Sequence, residues 1–389
     1  MKDKLIFIIL DGAADKGIKT PFSEARKPNL DKIANEAFCC LWEGPKAERG
    51  YNPKSMSDIA TLEILGYSSK DNPGRGYIEA LGIGLKPKKN CVYIRGNFAT
   101  VKKIGNRFKI TDRRAGREEF GLKDLANSLS MKIEDVKIKC ISSLGHRCIL
   151  ILDGNGLSKD VKDSDIGEYV KKIFPINKMG EKTARILNKF LESSYEILSN
   201  HEINKKRNFP ANFVLLRGAG MYKKVESFEK RYKMRSCSIA GHVVIKGISR
   251  YLGINSINVR GADASLNTNL EGKVEALKKN LKRYDFLLLH INGCDVAGHE
   301  KSFEKKKNFI EKIDSIVFSE IKNMKANIVL TCDHRTPFKT GEHEFGSVPA
   351  LFYSYKENLS NGIKIFSEKE CKKGGKIKNV MKFALKLFG

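Results

Sequence analysis

Apolar residues in this chain come in short blocks set between turns, and the blocks predict its elements. Residues 5–10 (LIFIIL), 286–291 (FLLLHI) and 328–332 (IVLTC) are apolar almost end to end, and residues 237–240 (CSIA) form a weaker fourth block. Continuous apolar runs of this length bounded by turn chemistry read as strands covered on both faces, as in a parallel sheet. Most are followed by helical patterns, at residues 28–37, 242–252, 272–283 and 303–324. In the last, Phe309, Ile313, Ile316 and Val317 recur at helical spacing behind Ser302, an N-cap residue type. Strands alternating with helices predict an α/β fold, a mostly parallel sheet with helices on both faces.

The middle of the chain reads differently. It has Gly-rich turns, shorter strand candidates at residues 92–99 and 148–152, and then a polar helical stretch. This predicts a smaller α+β domain at residues 73–209, inserted into a first domain made of residues 1–72 and 210–389, with crossings near Pro73 and Pro210.

Composition narrows the class. With 389 residues, 41% hydrophobic and 30% charged, the chain is expected to be a soluble globular protein of one large or two moderate domains. No apolar run approaches the roughly 18 to 20 residues of a membrane span, and residues 5–10 are too short for a signal-peptide core, so no membrane partner and a cytoplasmic location are expected. Nine cysteines without a C-x-x-C pair argue against a disulfide framework or a zinc finger and for reduced, mostly buried thiols. The net charge of +27 raises the question of nucleic acid. Its lysines are spread along the whole length with no RNA-binding signature or recognition helix, so no specific nucleic-acid partner is expected. A lysine-rich surface serving an anionic small-molecule substrate fits better.

Chemistry gathers where the predicted strands end. Residues 5–10 run into Asp11; residues 286–291 are followed by Asp295 and His299; residues 328–332 run into Asp333 and His334, with His343 beyond a loop. Ligands of parallel α/β sheets bind at the carboxyl ends of strands. One Asp-Gly or Asp-His there is ordinary turn chemistry, but three strands ending this way point to a metal site. Carboxylate and imidazole donors without thiolates suit Mn²⁺, Mg²⁺ or Zn²⁺, and there are enough of them for two ions sharing the charge of a phosphoryl group. Ser57, in KSMSDIATLEILGY, stands where a loop gives way to a helix; it is either an N-cap or a nucleophile poised at the positive end of a helix dipole. The predicted insertion adds Arg75, then Arg113, Arg114 and Arg117 in DRRAGR, and His146 beside Arg147. Their guanidinium forks match carboxylate and phosphate oxygens, or else serve surface ion pairs. His242 reads as structural. His290 reads either as a core histidine or as a partner that orients a ligand.

In chain order, the motifs ILDGAADK, TPFSEARKPNLDKIA, SDIATLEILGY, GRGYIEALGIGL, GNFATV, DRRAGR, GHR, LLRGAG, TNLEGK, DVAGH, DHRTPF and VPALFY span nearly the whole length. As an ordered series the sequence resembles the archaeal-type 2,3-bisphosphoglycerate-independent phosphoglycerate mutases of the alkaline phosphatase superfamily. The resemblance implies one metal held by Asp295, His299 and His343, and a second by Asp11, Ser57, Asp333 and His334, with Mn²⁺ the expected ion and Co²⁺ a further option, and no bisphosphoglycerate cofactor. It implies that Ser57 takes the phosphoryl group of 3-phosphoglycerate as phosphoserine and returns it to O2 of the reoriented glycerate, while the arginines and His146 hold the substrate. A phosphatase or phosphotransferase acting on another small acid, such as homoserine, is the alternative within the superfamily. The sequence departs from the family pattern at Ser55 and Met56, where Pro-Gly is expected, at Asn292, where a lysine is expected, and at GADAS and Arg335. Ser55 is thereby a rival nucleophile, and at Asn292 either Arg335 replaces the missing cation or the substrate differs.

Overall fold

The run at residues 5–10 forms a fully buried strand, Leu5–Leu10, in the middle of an eight-stranded sheet. The computed structural model describes residues 3–45 and 56–388. Across the sheet the order is Asn255–Ile257, Ser236–Ile239, Phe286–Ile291, Leu5–Leu10, Asn327–Thr331, Val348–Tyr353, Phe38–Trp42 and Lys376–Ile377. Only Val348–Tyr353 runs against the others. Both faces of the central strands are covered, which is why their sequences are apolar throughout. Each of their fully buried Leu, Ile and Phe side chains contributes about 1.5–3 kcal/mol over its exposed state.

Helices follow the strands as expected, with shifted ends. The segment at residues 303–324 is a single pattern in sequence but three pieces in the structure: helix Phe303–Ile313, a π-helical turn Asp314–Phe318 and a last turn Ser319–Ile321. The break coincides with a job for Asp314, whose buried carboxylate accepts from the backbone N–H of Asn29 (3.2 Å) and Leu30 (2.7 Å) in the first turn of helix Pro28–Ala34. Ser302 caps the start of Phe303–Ile313 by accepting from Lys305 N at 3.2 Å.

The chain divides into two compact units, Met1–Asn72 with Val225–Gly389, and Pro73–Lys224. The second unit is α+β. Its antiparallel sheet runs Arg107–Asp112, Cys91–Ile104, Arg147–Asp153, Val136–Ser142, Met131–Ile133, and Phe213–Gly220 pairs with Cys91–Ile104 as a sixth strand. That last pairing moves the return crossing from the expected Pro210 to beyond Lys224, because residues 213–220 belong to this sheet. Helix Glu181–Ser199 buries Ile186, Leu187, Phe190 and Leu191 in a core shared with Val92, Ile94, Phe98, Leu150 and Val214. All nine cysteines of the chain are unpaired and buried. Among the described residues no helix is long and apolar enough to cross a membrane.

Candidate active site

Asp11 and Asp333 follow strands Leu5–Leu10 and Asn327–Thr331, which lie side by side, so both carboxylates arrive at one edge of the sheet. Gly12, with φ +59°, makes the turn after Asp11 and donates its N–H to Asp333 Oδ1 at 3.0 Å. A Cβ at Gly12 would meet Asp295 Oδ1 at 2.6 Å, so only glycine permits this approach. Strand Phe286–Ile291 feeds helix Gly293–His299, which puts Asp295 and His299 four apart on one face, with His299 Nε2 3.4 Å from Asp295 Oδ2. The loop after Asp333 returns His343, whose Nε2 lies 3.2 Å from Asp295 Oδ1 and 3.1 Å from His299 Nε2.

Ser57 is the second residue of helix Met56–Ile64, so the N-cap reading does not apply to it. Its Oγ sits 3.1 Å from His334 Nε2. The same imidazole nitrogen is 3.3 Å from Asp11 Oδ1 and 3.4 Å from Asp333 Oδ2. The structure therefore brings together Asp11, Ser57, Asp295, His299, Asp333, His334 and His343. Ser55 lies outside the described residues.

Three carboxylates so close are electrostatically unfinished. Among the described residues neither oxygen of Asp11 has a hydrogen-bond donor, nor does Asp333 Oδ2, although all are buried. Burial, and then the charge of Asp11, push Asp333 up to about 8. Burial would also raise Asp11, but the adjacent His290 and His334 rings outweigh it and hold its carboxyl below the usual range. Burial would lower His334, yet Asp333 and Asp11 push it up to about 10, and the hydrogen bond to Asp295 pushes His299 up to about 9. A buried cluster that draws protons onto its imidazoles and onto one carboxyl is short of positive charge, which divalent ions supply. Donor atoms of Asp295, His299 and His343 all lie within 4.8 Å of one another, as do those of Asp11, Asp295 and His334 and those of Asp11, His290 and Asp333.

Sequence reasoning missed two supports. Thr336 donates Oγ1–H to Asp295 Oδ1 at 2.7 Å and lies 3.2 Å from His334 Nδ1, tying the two clusters together. Fully buried Lys306 donates to Asp15 Oδ2 (3.0 Å), Ala14 O (3.2 Å) and Thr336 O (2.9 Å), fixing the loops that carry Asp11 and Asp333. Of the departures, Asn292 precedes helix Gly293–His299 and donates Nδ2–H to Ala264 O of GADAS at 3.2 Å, so two of them touch each other. Arg335 is committed to Ser347 O through Nε at 2.9 Å and Nη2 at 2.5 Å.

The second unit carries its own charged site. Arg95 and Arg217 face each other across paired strands, and Arg147 stands opposite Asn97 on the next, so all three point to the sheet face away from the Phe98 core. Helix Arg75–Gly82 adds Arg75 and Glu79. Glu79 Oε1 accepts from Arg75 Nε at 2.7 Å and pairs with Arg95 Nη1 at 3.2 Å. Burial would raise Glu79, but Arg95, Arg75 and Arg147 bring it down to about 2. The Nε atoms of Arg95, Arg147 and Arg217 are buried without hydrogen-bond partners among the described residues. His146 is lowered to about 4 by burial and then by Arg147. DRRAGR divides: Arg113 turns away to Asp165 and the Gly167 carbonyl. Ala115, Gly116 and Arg117 form a left-handed turn that buried Arg207 clamps through Ala115 O (3.1 Å) and Glu118 O (2.9 Å). Arg95 and Arg217 escaped the sequence reading because each sits inside an apolar strand pattern; the odd arginine in an otherwise buried strand was the signal.

Fold and site together define a class: an α/β protein whose carboxylate and imidazole donors surround a serine hydroxyl at the carboxyl edge of its sheet, suited to metal-assisted group transfer. A family model for 2,3-bisphosphoglycerate-independent phosphoglycerate mutase matches residues 46–204. The protein named 2,3-bisphosphoglycerate-independent phosphoglycerate mutase 1 in Methanocaldococcus jannaschii is 39% identical, over 100% of this chain and 98% of its own. Its namesake in Archaeoglobus fulgidus is 38% identical over 95% and 93%. Among solved structures, a Pyrococcus horikoshii protein superposes with a TM-score of 0.82 at 27% identity, covering 100% of this chain and 97% of that one. The cofactor-independent phosphoglycerate mutase of Thermoplasma acidophilum gives 0.69 at 29%, covering all of both chains. The chain belongs to the 2,3-bisphosphoglycerate-independent phosphoglycerate mutase family.

Proposed function

We propose that this chain interconverts 3-phosphoglycerate and 2-phosphoglycerate without bisphosphoglycerate, with Ser57 carrying the phosphoryl group between the two positions. The observation behind this reading is the placement of Ser57 Oγ 3.1 Å from His334 Nε2 at the edge of a buried three-carboxylate cluster, in a member of this family. Asp295, His299 and His343 would hold one divalent ion, and Asp11, Asp333 and His334, with Ser57, the other. Such ions, when bound, polarise phosphoryl oxygens and lower the pKa of a neighbouring hydroxyl.

Mn²⁺ is the ion expected. Cys294 and Cys332 adjoin the ligands in sequence, but among the described residues neither joins a donor grouping, so the donors that come together are oxygen and nitrogen.

Ser57 is presented from the first turn of its helix, where the backbone N–H groups favour an arriving phosphate. Its Oγ forms the new P–O bond as the bond to the glycerate oxygen breaks. In the second half the other glycerate hydroxyl attacks the phosphoserine and Ser57 is regenerated. The arginines of the second unit, buried Arg95 with the half-buried Arg75, Arg147 and Arg217 around it and Arg114, Arg117 and His146 beside them, bind the anionic groups of the substrate. Arg113, already engaged, takes little part.

The test is conversion of 3-phosphoglycerate by metal-stripped protein with Mn²⁺ restored and no bisphosphoglycerate added, beside Ser57→Ala. Metal-dependent formation of 2-phosphoglycerate that disappears in the variant is expected. Release of inorganic phosphate in place of 2-phosphoglycerate would overturn the mutase reading, and full activity of the variant would overturn the role of Ser57.

A further inference from the structure

His290 is the one imidazole in the middle of an apolar strand, paired in register with Ile9 between Leu289 and Ile291. It is 0% exposed. Its backbone carbonyl accepts from Lys273 Nζ at 3.0 Å, and the His242 ring lies 6.3 Å away at an interplanar angle of 20°. Packing thus fixes the ring, yet among the described residues neither of its nitrogens has a hydrogen-bond partner. Leaving a buried polar group unpaired costs about 1–3 kcal/mol, so the ring is held there against a penalty.

Its Nε2 is aimed at the carboxylate cluster. It stands 3.3 Å from Asp11 Oδ2, while the other oxygen of Asp11 stands 3.3 Å from His334 Nε2. Asp11 therefore lies between two imidazoles, and neither of its oxygens has a hydrogen-bond partner among the described residues. Donor atoms from Asp11, His290 and Asp333 all lie within 4.8 Å of one another. Donors about 2.0–2.2 Å from a common ion stand roughly 3–4.4 Å apart, so this spacing suits coordination. A histidine that only orients a carboxylate does so along a well-aligned N–H···O bond, and here that bond is missing.

We propose that His290 is itself a metal ligand, giving its Nε2 lone pair to the ion held by Asp11 and Asp333, so that this ion is met by imidazoles from two strands. The inference rests on reading the cluster as a metal centre. It adds one donor to the set assigned above and explains why a strand otherwise made of Phe, Leu and Ile carries a histidine at this position. A neutral ring is required, with its proton on Nδ1.

Full-length wild type and His290→Asn, both stripped with a chelator, are titrated with Co²⁺ and followed by visible d–d absorption and bound-metal analysis. Wild type is expected to take two ions. The variant is expected to lose affinity for one of them by more than the roughly 10–100-fold that losing an outer partner of a ligand costs, with an altered spectrum at saturation. Metal-free His290→Leu is expected to unfold in urea at or above the wild-type midpoint, since a buried polar group without partners has been replaced by an apolar one of similar size. His290→Gln replaces His290→Asn if that variant does not fold. A saturated spectrum identical to wild type overturns the proposal whatever the affinity, because His290 would then act only through Asp11. Failure of wild type to take up Co²⁺ would instead sink the metal-centre reading itself.

Discussion

The two units bury like charge in opposite senses. In the first, Asp11, Asp295 and Asp333 crowd together, and two of the imidazoles facing them, His299 and His334, respond by holding protons. In the second, Arg75, Arg95 and Arg147 crowd around the Glu79 carboxylate, with Arg217 beside them paired to Asp165 at 3.7 Å, and a guanidinium has no proton to lose at working pH. The acidic site can thus adjust its own charge while the basic site cannot, and needs a permanent internal anion to fold. Glu79 is that anion; in the proposed function a bound substrate would supply the rest.

If so, Glu79→Gln should be the most damaging substitution for stability on either side. It leaves Arg75 and Arg95 buried beside a neutral amide, and breaking a buried pair in this way costs about 3–5 kcal/mol. The loss should appear as a lowered midpoint for the second unit in urea, followed by far-UV circular dichroism. Trp42, the only tryptophan, lies in the first unit's sheet, so its fluorescence reports the acidic side separately. A Glu79→Gln protein with an unchanged circular dichroism midpoint would mean that the arginines tolerate one another without help.

The arginines themselves should separate by position. Arg147→Ala removes a half-buried guanidinium whose buried Nε has no hydrogen-bond partner among the described residues, and kcat/KM for phosphoglycerate is expected to fall about 10²–10³-fold, as when one preorganised donor to a reacting anion is lost. Arg113→Ala breaks a half-exposed pair with Asp165 and should cost about 1 kcal/mol or less in stability, with little change in rate. Equal losses in the two variants would dissolve the distinction between the set around Glu79 and the DRRAGR loop.

This division was only partly legible in the sequence, for a physical reason. A strand buried on both faces is apolar throughout, so the acids at its end stand out; Asp11, Asp295 and Asp333 were found that way, and the strands before them lie within a residue of their expected limits. Arg95 and Arg217 are far apart in sequence and meet only through strand register, which no local pattern encodes. Strand Val348–Tyr353 was hidden by Pro349, a residue that argues against a central strand. It is accommodated because pairing with Asn327–Thr331 begins only at Ala350. DRRAGR was conspicuous as a cluster, but its left-handed turn sends Arg113 elsewhere, and backbone direction is invisible in composition.

On the acidic side, adding Mn²⁺ to metal-stripped protein should raise the Trp42 transition. An ion that binds only the folded state at 100 times its dissociation constant adds about 2.7 kcal/mol. Glu79→Gln should leave that increment intact. An increment that vanished with Glu79 would tie the two charge clusters energetically and break the contrast between them.

The smallest expected effect is the most direct probe of the basic side. Burial and the neighbouring guanidinium of Arg147 lower His146 to about 4 from an ordinary value near 6.5. The folded state therefore holds this ring neutral between those values while the unfolded chain protonates it, so stability falls as pH drops from about 6.5 to about 4 and is unaffected above. An NMR titration of the His146 ring should give a midpoint near 4 in the free protein. Arg147→Ala should move it upward by removing the largest of the nearby charges. Inorganic phosphate should move it upward as well, because an anion among the arginines offsets the field that keeps the ring neutral. A midpoint near 6.5 would mean that the field is screened by solvent, and a low midpoint indifferent to phosphate would place the anion somewhere other than beside these arginines.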